Sequence, residues 1–335
     1  MPLRSYGVLS GRVTQTHREP ATDTPHYQIE VVDDAGTAYR VAVNVLSQES
    51  PSELLYLVVD DFRHPVVAAL GEGGSGWTPL PRGPGGANLD YIRANLLDPT
   101  AMRPLPPEVV GPDNDLADLL DHYIHLSRND SESRIFAFGE RWGPEDATRD
   151  KIFGFLPGNG VHDVHMNQGN SAAFRRDDGV WQDGGVVLHL AAEGRWVAIF
   201  LAFQSQAWHT DDLTGHALAG KHTHVDLPTE PARIVGALVN PIGPAPETET
   251  VTLINASPDP IDLTGWKLLD RMKTQCQLPN EPLDPGRTVL VHTTDGFQLG
   301  NNGGAITLLD ANGLKVHGVS YTREQADREG WTVVF

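Results

Sequence analysis

Apolar and polar positions alternate from the first residues onward. Residues 6–14 (Tyr-Gly-Val-Leu-Ser-Gly-Arg-Val-Thr) and 26–32 (His-Tyr-Gln-Ile-Glu-Val-Val) alternate with the period of a strand that buries one face. The turn Asp33-Asp34-Ala35-Gly36 leads into a third such run, Ala38–Leu46, so the chain opens on a small meander or the start of a barrel. Ser52–Val59 is apolar without a clear period and reads as either strand or helix. Residues 71–88, rich in Gly and Pro, predict an exposed loop. The four prolines of Met102–Pro112 exclude a continuous helix there. The clearest helix comes next, over about 113–128. Asp113-Asn114-Asp115 offers caps, and Leu116, Leu119, Leu120, Tyr123 and Ile124 recur at helical spacing.

Strand patterns return from Arg134. Ile135–Phe138 and Lys151–Phe155 read as strands, with a loop over Gly139–Asp150 and a turn at Pro157-Gly158-Asn159-Gly160. Gly185–Leu190 and Arg195–Gln204 flank Ala191–Gly194 as a hairpin. The second arm is apolar on both parities, the mark of a central strand covered on both faces. A Pro- and Glu-rich linker over Asn240–Glu249 separates two domains, 1–232 and 240–335. The predicted fold class is mainly β, with an α+β N-terminal part carrying one clear helix and a C-terminal β-sandwich.

The sandwich prediction rests on six to eight short strands with turn signals at Pro285-Gly286 and Asn312-Gly313, and on Trp266 as a core anchor. The segments Asp262-Leu263-Thr264-Gly265-Trp266, Leu283-Asp284-Pro285-Gly286 and Asn301–Asp310 (Asn-Asn-Gly-Gly-Ala-Ile-Thr-Leu-Leu-Asp) follow one another in an order that resembles the lamin tail domain. That resemblance covers about 245–322. It implies an immunoglobulin-like sandwich with an accessory or tethering role.

Charge narrows the partners. The net charge is −19 and acids exceed bases in both halves, which disfavours nucleic acid and anionic membrane surfaces, since both are held by Lys and Arg. The single cysteine, Cys276, excludes an intrachain disulfide and a thiolate metal cluster within one chain. No run of about 18 apolar residues occurs, and the first residues lack the apolar core of a signal peptide, so a cytoplasmic location is expected.

Candidate chemistry gathers in 162–226, where seven histidines lie among several aspartates. Neutral imidazole and carboxylate are ordinary ligands of zinc, manganese or iron, and both act as acid or base near neutral pH. One reading is a metal-assisted hydrolase. His165, His209 and Asp211 are its metal ligands, His162 and Asp163 lie in or next to the coordination shell, and Asp183 is a candidate base. The other is a non-catalytic protein that holds a polar small molecule or a protein partner with Asn167, Gln168, Gln204, Gln206 and Trp208. Amides both donate and accept, and indole offers a stacking face. The spacing does not match the His-Glu-x-x-His zinc helix. No Gly-x-Ser-x-Gly elbow, phosphate-binding loop or dinucleotide fingerprint is present.

Tyr6–Leu9, Ser50–Tyr56, Gly111–Asp115, Phe138–Gly143, Pro157–Gly160, His162–Asn170, Trp181–Gly185 and Phe203–Asp212 follow one another over the first 220 or so residues. In that order they resemble the YukJ-like bacterial family of unknown function. It brings no established mechanism.

Overall fold

The computed structural model describes residues 5–20, 25–47, 54–80, 87, 89, 96–97, 101–106, 115–162, 184–203, 231–243, 248–294, 296–313 and 315–335. The N-terminal part contains β1 (Tyr6–Arg18), β2 (His26–Val32), β3 (Ala38–Asn44), β4 (Leu54–Val59), α1 (Val66–Gly71), β5 (Gly76–Pro79) and β6 (Arg103–Pro104). It continues with α2 (Asp115–Arg128), β7 (Arg134–Glu145), β8 (Gly158–His162), β9 (Gly184–Leu190) and β10 (Arg195–Phe203).

Five of these strands close on themselves. The pairs β1–β2 and β2–β3 are antiparallel, β3–β8 is parallel, and β8–β7 and β7–β1 are antiparallel. This ring, 1-2-3-8-7-1, has the strand order of an OB-type Greek-key barrel. β1 serves both halves of the ring: Tyr6–Gly11 pairs with β7, and Arg12–Arg18 pairs with β2 across a register shift at Val13/Gln15. Such an irregularity bends a strand and lets it leave one partner for another.

Leu9, Ile29, Val31, Val41, Ile135, Ala137 and Val161 point into the ring and are fully buried. Leu116, Leu120 and Ile124 of α2 join the same core, so the helix predicted from its spacing plugs the barrel. Two polar bonds fix it there, from the Tyr27 hydroxyl to Asp121 (2.7 Å) and from Arg18 to Asp118 (2.9 Å). β9, β10, β4 and β6 extend the sheet beyond β7. Ala191–Glu193 turns the β9–β10 hairpin through Gly194 at φ 59°, a left-handed conformation that glycine adopts without strain. β10 is buried on both faces, as its sequence predicts.

One open reading is decided and three local expectations change. Within the apolar run that read as either strand or helix, Leu54–Val59 forms β4, paired with β10. The expected loop after Phe138 is instead a continuation of β7 to Glu145, and the expected turn at Gly158–Gly160 is a strand, because those two stretches pair with each other. Lys151–Phe155, predicted as a strand, forms turns that connect them. The glycines that read as turn signals serve a close approach: a Cβ on Gly160 would lie 2.0 Å from the Arg40 carbonyl oxygen.

The C-terminal part is a sandwich of two four-stranded sheets, built from β11 (Ala232–Leu238), β12 (Thr250–Asn255), β13 (Ile261–Asp262), β14 (Lys267–Leu269), β15 (Gln275–Gln277) and β16 (Pro282–Leu283), then β17 (Thr288–His292), β18 (Gly303–Leu309), β19 (Lys315–Thr322), α3 (Arg323–Ala326) and β20 (Val333–Val334). One sheet runs β17-β12-β11-β20 and the other β15-β14-β18-β19, with β13 and β16 as a short separate pair. Trp266, Leu268, Ile306 and Tyr321 fill the space between the sheets. β11 precedes the expected linker yet pairs with β12, so residues 232–238 belong to the sandwich. Among the described residues no helix is long and apolar enough to cross a membrane.

Two expectations follow for stability. Gly160→Ala drives a methyl group into the β3 backbone and should lower the stability of the N-terminal part by about 1–3 kcal/mol, read from its urea midpoint. Burial pushes the phenols of Tyr27 and Tyr321 well above the ordinary tyrosine value, reinforced by Asp121 and Glu249 respectively. The folded chain therefore keeps these protons at a pH where the unfolded chain, titrating near 10, has lost them. The contribution of these two phenols is full below about pH 10 and is lost as pH rises beyond it. Urea midpoints at pH 8.5 and 10.5 should show the drop, and Tyr27→Phe should shrink it.

Candidate functional site

β7 positions the site because both of its edges are occupied. Along one edge runs β1, with Tyr6 opposite Glu140 and Val8 opposite Phe138. Along the other edge lie β8 and β9 end to end: His162 pairs with Glu140, and Gly185 pairs with Phe138. The chain therefore leaves β8 and returns as β9 at neighbouring points, about 7 Å apart along β7 at strand spacing. One strand further out, Leu201 of β10 pairs with Gly184, and Phe203 pairs with Leu54, the first residue of β4. The C-terminal ends of β8 and β10 and the N-terminal ends of β9 and β4 thus meet at one end of the sheet.

Of the residues singled out from sequence, His162 is the last residue of β8 and sits in this place. Asp163, His165, Asn167, Gln168, Asp183, Gln204, Gln206, Trp208, His209 and Asp211 lie outside the described residues. In the chain, Asp163 follows His162, Asp183 precedes Gly184 and Gln204 follows Phe203, so both segments that carry the expected ligands are anchored at this end. Among the described residues, no group of three or more His, Cys, Asp or Glu side chains is placed to hold a metal ion.

The sequence reading passed over Glu140 and Tyr6. Directly opposite residues of antiparallel strands share a face, so Tyr6, Glu140 and His162 form one row across β1, β7 and β8. The signal that could have found Glu140 was the segment Phe138–Gly143, whose strand character shows only once β8 is seen beside it.

A second polar group occupies the outer face of β2 and β3, where barrels of this strand order bind oligonucleotides and oligosaccharides. Here that face is filled from within. Arg40 donates from Nε to Asp150 (2.6 Å) and from Nη1 to Gln28 (2.9 Å), with its guanidinium over the Trp142 ring at 4.9 Å. Asp150 comes from the β7–β8 connection and its side chain is fully buried. It also accepts the amides of Ile152 and Phe153. Gln28 donates onward to Glu19 (3.0 Å), which accepts the His26 amide as well. Burial alone would raise the Glu19 carboxyl, but the bonds from His26 and Gln28 outweigh it and hold the group below its ordinary value. Arg40, Gln28 and Asp150 are all buried, so this network is scaffold that binds the loop to the barrel.

With this arrangement in view, the chain belongs to the family described as "Uncharacterized conserved protein (DUF2278)", which matches residues 1–215. Its similarity to a particular protein is high: it is 43% identical over 214 residues to the "Uncharacterized protein YukJ" of Bacillus subtilis (strain 168), covering 63% of this chain and 93% of that relative. The Lamin Tail Domain matches residues 229–323 and so takes in β11. No solved structure matches.

The buried ion pair yields a test of the scaffold. Arg40→Met leaves the Asp150 carboxylate buried without its cation and should cost about 3–5 kcal/mol. Adding Asp150→Asn should recover part of that loss in the same urea titration.

Proposed function

We propose that the end of the N-terminal sheet where β8, β9, β10 and β4 meet is a divalent-metal site that supports hydrolysis of a polar substrate. His165, His209 and Asp211 are the ligands, His162 and Asp163 lie in or beside the coordination shell, and Asp183 acts as base. Asn167, Gln168, Gln204, Gln206 and Trp208 orient the substrate. The observation that supports this reading is the common end of the sheet: the chain toward His165 leaves at His162, opposite Glu140, and the chain toward His209 and Asp211 leaves at Phe203 of β10, two strands from β7 at the same end. A bound zinc, manganese or iron supplies a water acidic enough to be a nucleophile near neutral pH. The chain's own groups contribute by taking up its proton and by holding the substrate. The sandwich plays no part in this chemistry and serves as an accessory or tethering domain.

The test is elemental analysis of the full chain, purified without chelator or histidine tag, beside His165→Ala/His209→Ala. Near-stoichiometric metal in the wild type and its loss from the variant is the expected result. Absence of metal from both, even after zinc or manganese is added, would replace the hydrolase with a metal-free module that binds a polar ligand through the same glutamines and Trp208.

A further inference from the structure

We infer that the barrel face of β7 and β8 binds a small oxyanion, a carboxylate or phosphate group, with Arg141 as its anchor and Asn159 as a second contact. The inference is independent of the metal reading. Arg141 stands opposite Val161, whose side chain is buried in the barrel core, so Arg141 rises on that same face. Strand alternation places Asn159, two residues before Val161, on the barrel face as well. β3 runs parallel to β8 with Val41 beside Val161, which brings Tyr39, another barrel-core residue, alongside Asn159. Three adjacent strands thus contribute one polar side chain each to the same face. Glu140, next to Arg141 in the chain, lies on the other face of β7.

Two atoms in this group are left unsatisfied, one donor and one acceptor. The Arg141 guanidinium lies over the Trp77 ring at 5.8 Å, and its Nε is buried with no hydrogen-bond partner. The indole is itself held down on β1, where a Cβ on Gly7 would come within 2.6 Å of a ring carbon. Other arginines removed from solvent hold carboxylates: Arg40 pairs with Asp150, Arg134 with Asp34 and Arg195 with Asp60 and Glu193. Among the described residues Arg141 makes no such pair. Burial and then Asp33 raise the Tyr39 phenol above its ordinary value while Arg141 opposes them, so the guanidinium is within electrostatic reach of that hydroxyl. Asp33 is not available to it, since Oδ1 accepts the Ala35 and Thr37 amides and Oδ2 accepts the Tyr39 hydroxyl at 3.0 Å. Asn159 donates from Nδ2 to the Ala38 carbonyl at 2.9 Å, and its buried Oδ1 receives nothing. A charged donor and an amide acceptor buried without partners are costly, and in a chain of net charge −19 the missing acid is supplied from outside. The guanidinium fork matches the two oxygens of a carboxylate or phosphate, and burial strengthens that bond. A hydroxyl on the same phosphate, or beside the carboxylate, satisfies Asn159.

The experiment follows the arginine Nε–H signals of the isotope-labelled full chain by NMR, with chelator present so that metal plays no part. The Arg141 signal is the one missing from Arg141→Lys. Potassium phosphate and sodium glycolate are added separately, against sodium chloride at equal ionic strength. The Arg141 signal should shift saturably with phosphate or glycolate and stay fixed in chloride; the anion that binds more tightly tells a phosphate site from a carboxylate site. By linkage, that anion should also raise the thermal midpoint of the wild type and of Arg12→Met, an exposed control, but not that of Arg141→Met. Arg141→Lys keeps the charge and loses the fork; it should bind at least tenfold more weakly and replaces Arg141→Met if that variant fails to fold. An Arg141 signal that neither anion moves, or equal midpoint shifts in the wild type and the Arg141 variant, would overturn the inference. Unchanged affinity in folded Asn159→Ala would overturn the second contact and leave Arg141 as the anchor.

Discussion

The hydrogen bonding of β7 along both edges governs the N-terminal part. A strand interior must satisfy its amides and carbonyls on two sides. β7 does so with β1 along one edge and with β8 and then β9 along the other. The first arrangement closes the barrel, because β1 passes from β7 to β2 at its register shift. The second joins the barrel to the β9–β10–β4 extension and sets the end of β8 beside the start of β9. Fold closure and the meeting point of the strand ends are thus consequences of the same pairing.

The chain's acidity takes on a different meaning once the side chains are placed. Several acids in both parts serve backbone amides. Asp150 holds the β7–β8 connection, and Asp33 accepts the amides of Ala35 and Thr37 in the turn before β3. In the sandwich, Asp270 accepts Met272, Thr274 and Gln298, and Glu249 accepts Leu299. A carboxylate that receives such donors is stabilised inside the fold and replaces the water its loop would otherwise need. The same economy fills the outer face of β2 and β3. Arg40 there is committed to Asp150 and Gln28, which join the β7–β8 connection to β2 and β3.

The two parts of the chain are built differently. The sandwich, which matches the lamin tail domain, is closed around one core of Trp266, Leu268, Ile306 and Tyr321. The N-terminal sheet carries apolar cores on both faces, one inside the barrel beneath α2 and one outside it beneath α1. Its row of Tyr6, Glu140 and His162 lies on the outer face, where Tyr6 belongs to the second of these cores.

Local signals in the sequence were enough for the mainly β class, the helix over Asp115–Arg128, the hairpin around Ala191–Gly194 and the C-terminal sandwich. Each depends on a short-range period or a turn residue, and those are properties of consecutive positions. The lamin-tail resemblance and the family of the first 215 residues were legible for the same reason, as ordered short segments. The extension of β7 to Glu145 and the strand at Gly158–His162 were not legible. Glycine at 143, 158 and 160 signals a turn locally, and only a partner strand packed against it makes it a strand residue. Glu140 stayed hidden with them, since cross-strand register joins residues 22 positions apart in sequence and no periodicity records it. The sequence alone determined which donor residues the chain possesses; tertiary pairing decided that Glu140 stands opposite His162, because register is fixed by which strands meet and which faces they bury.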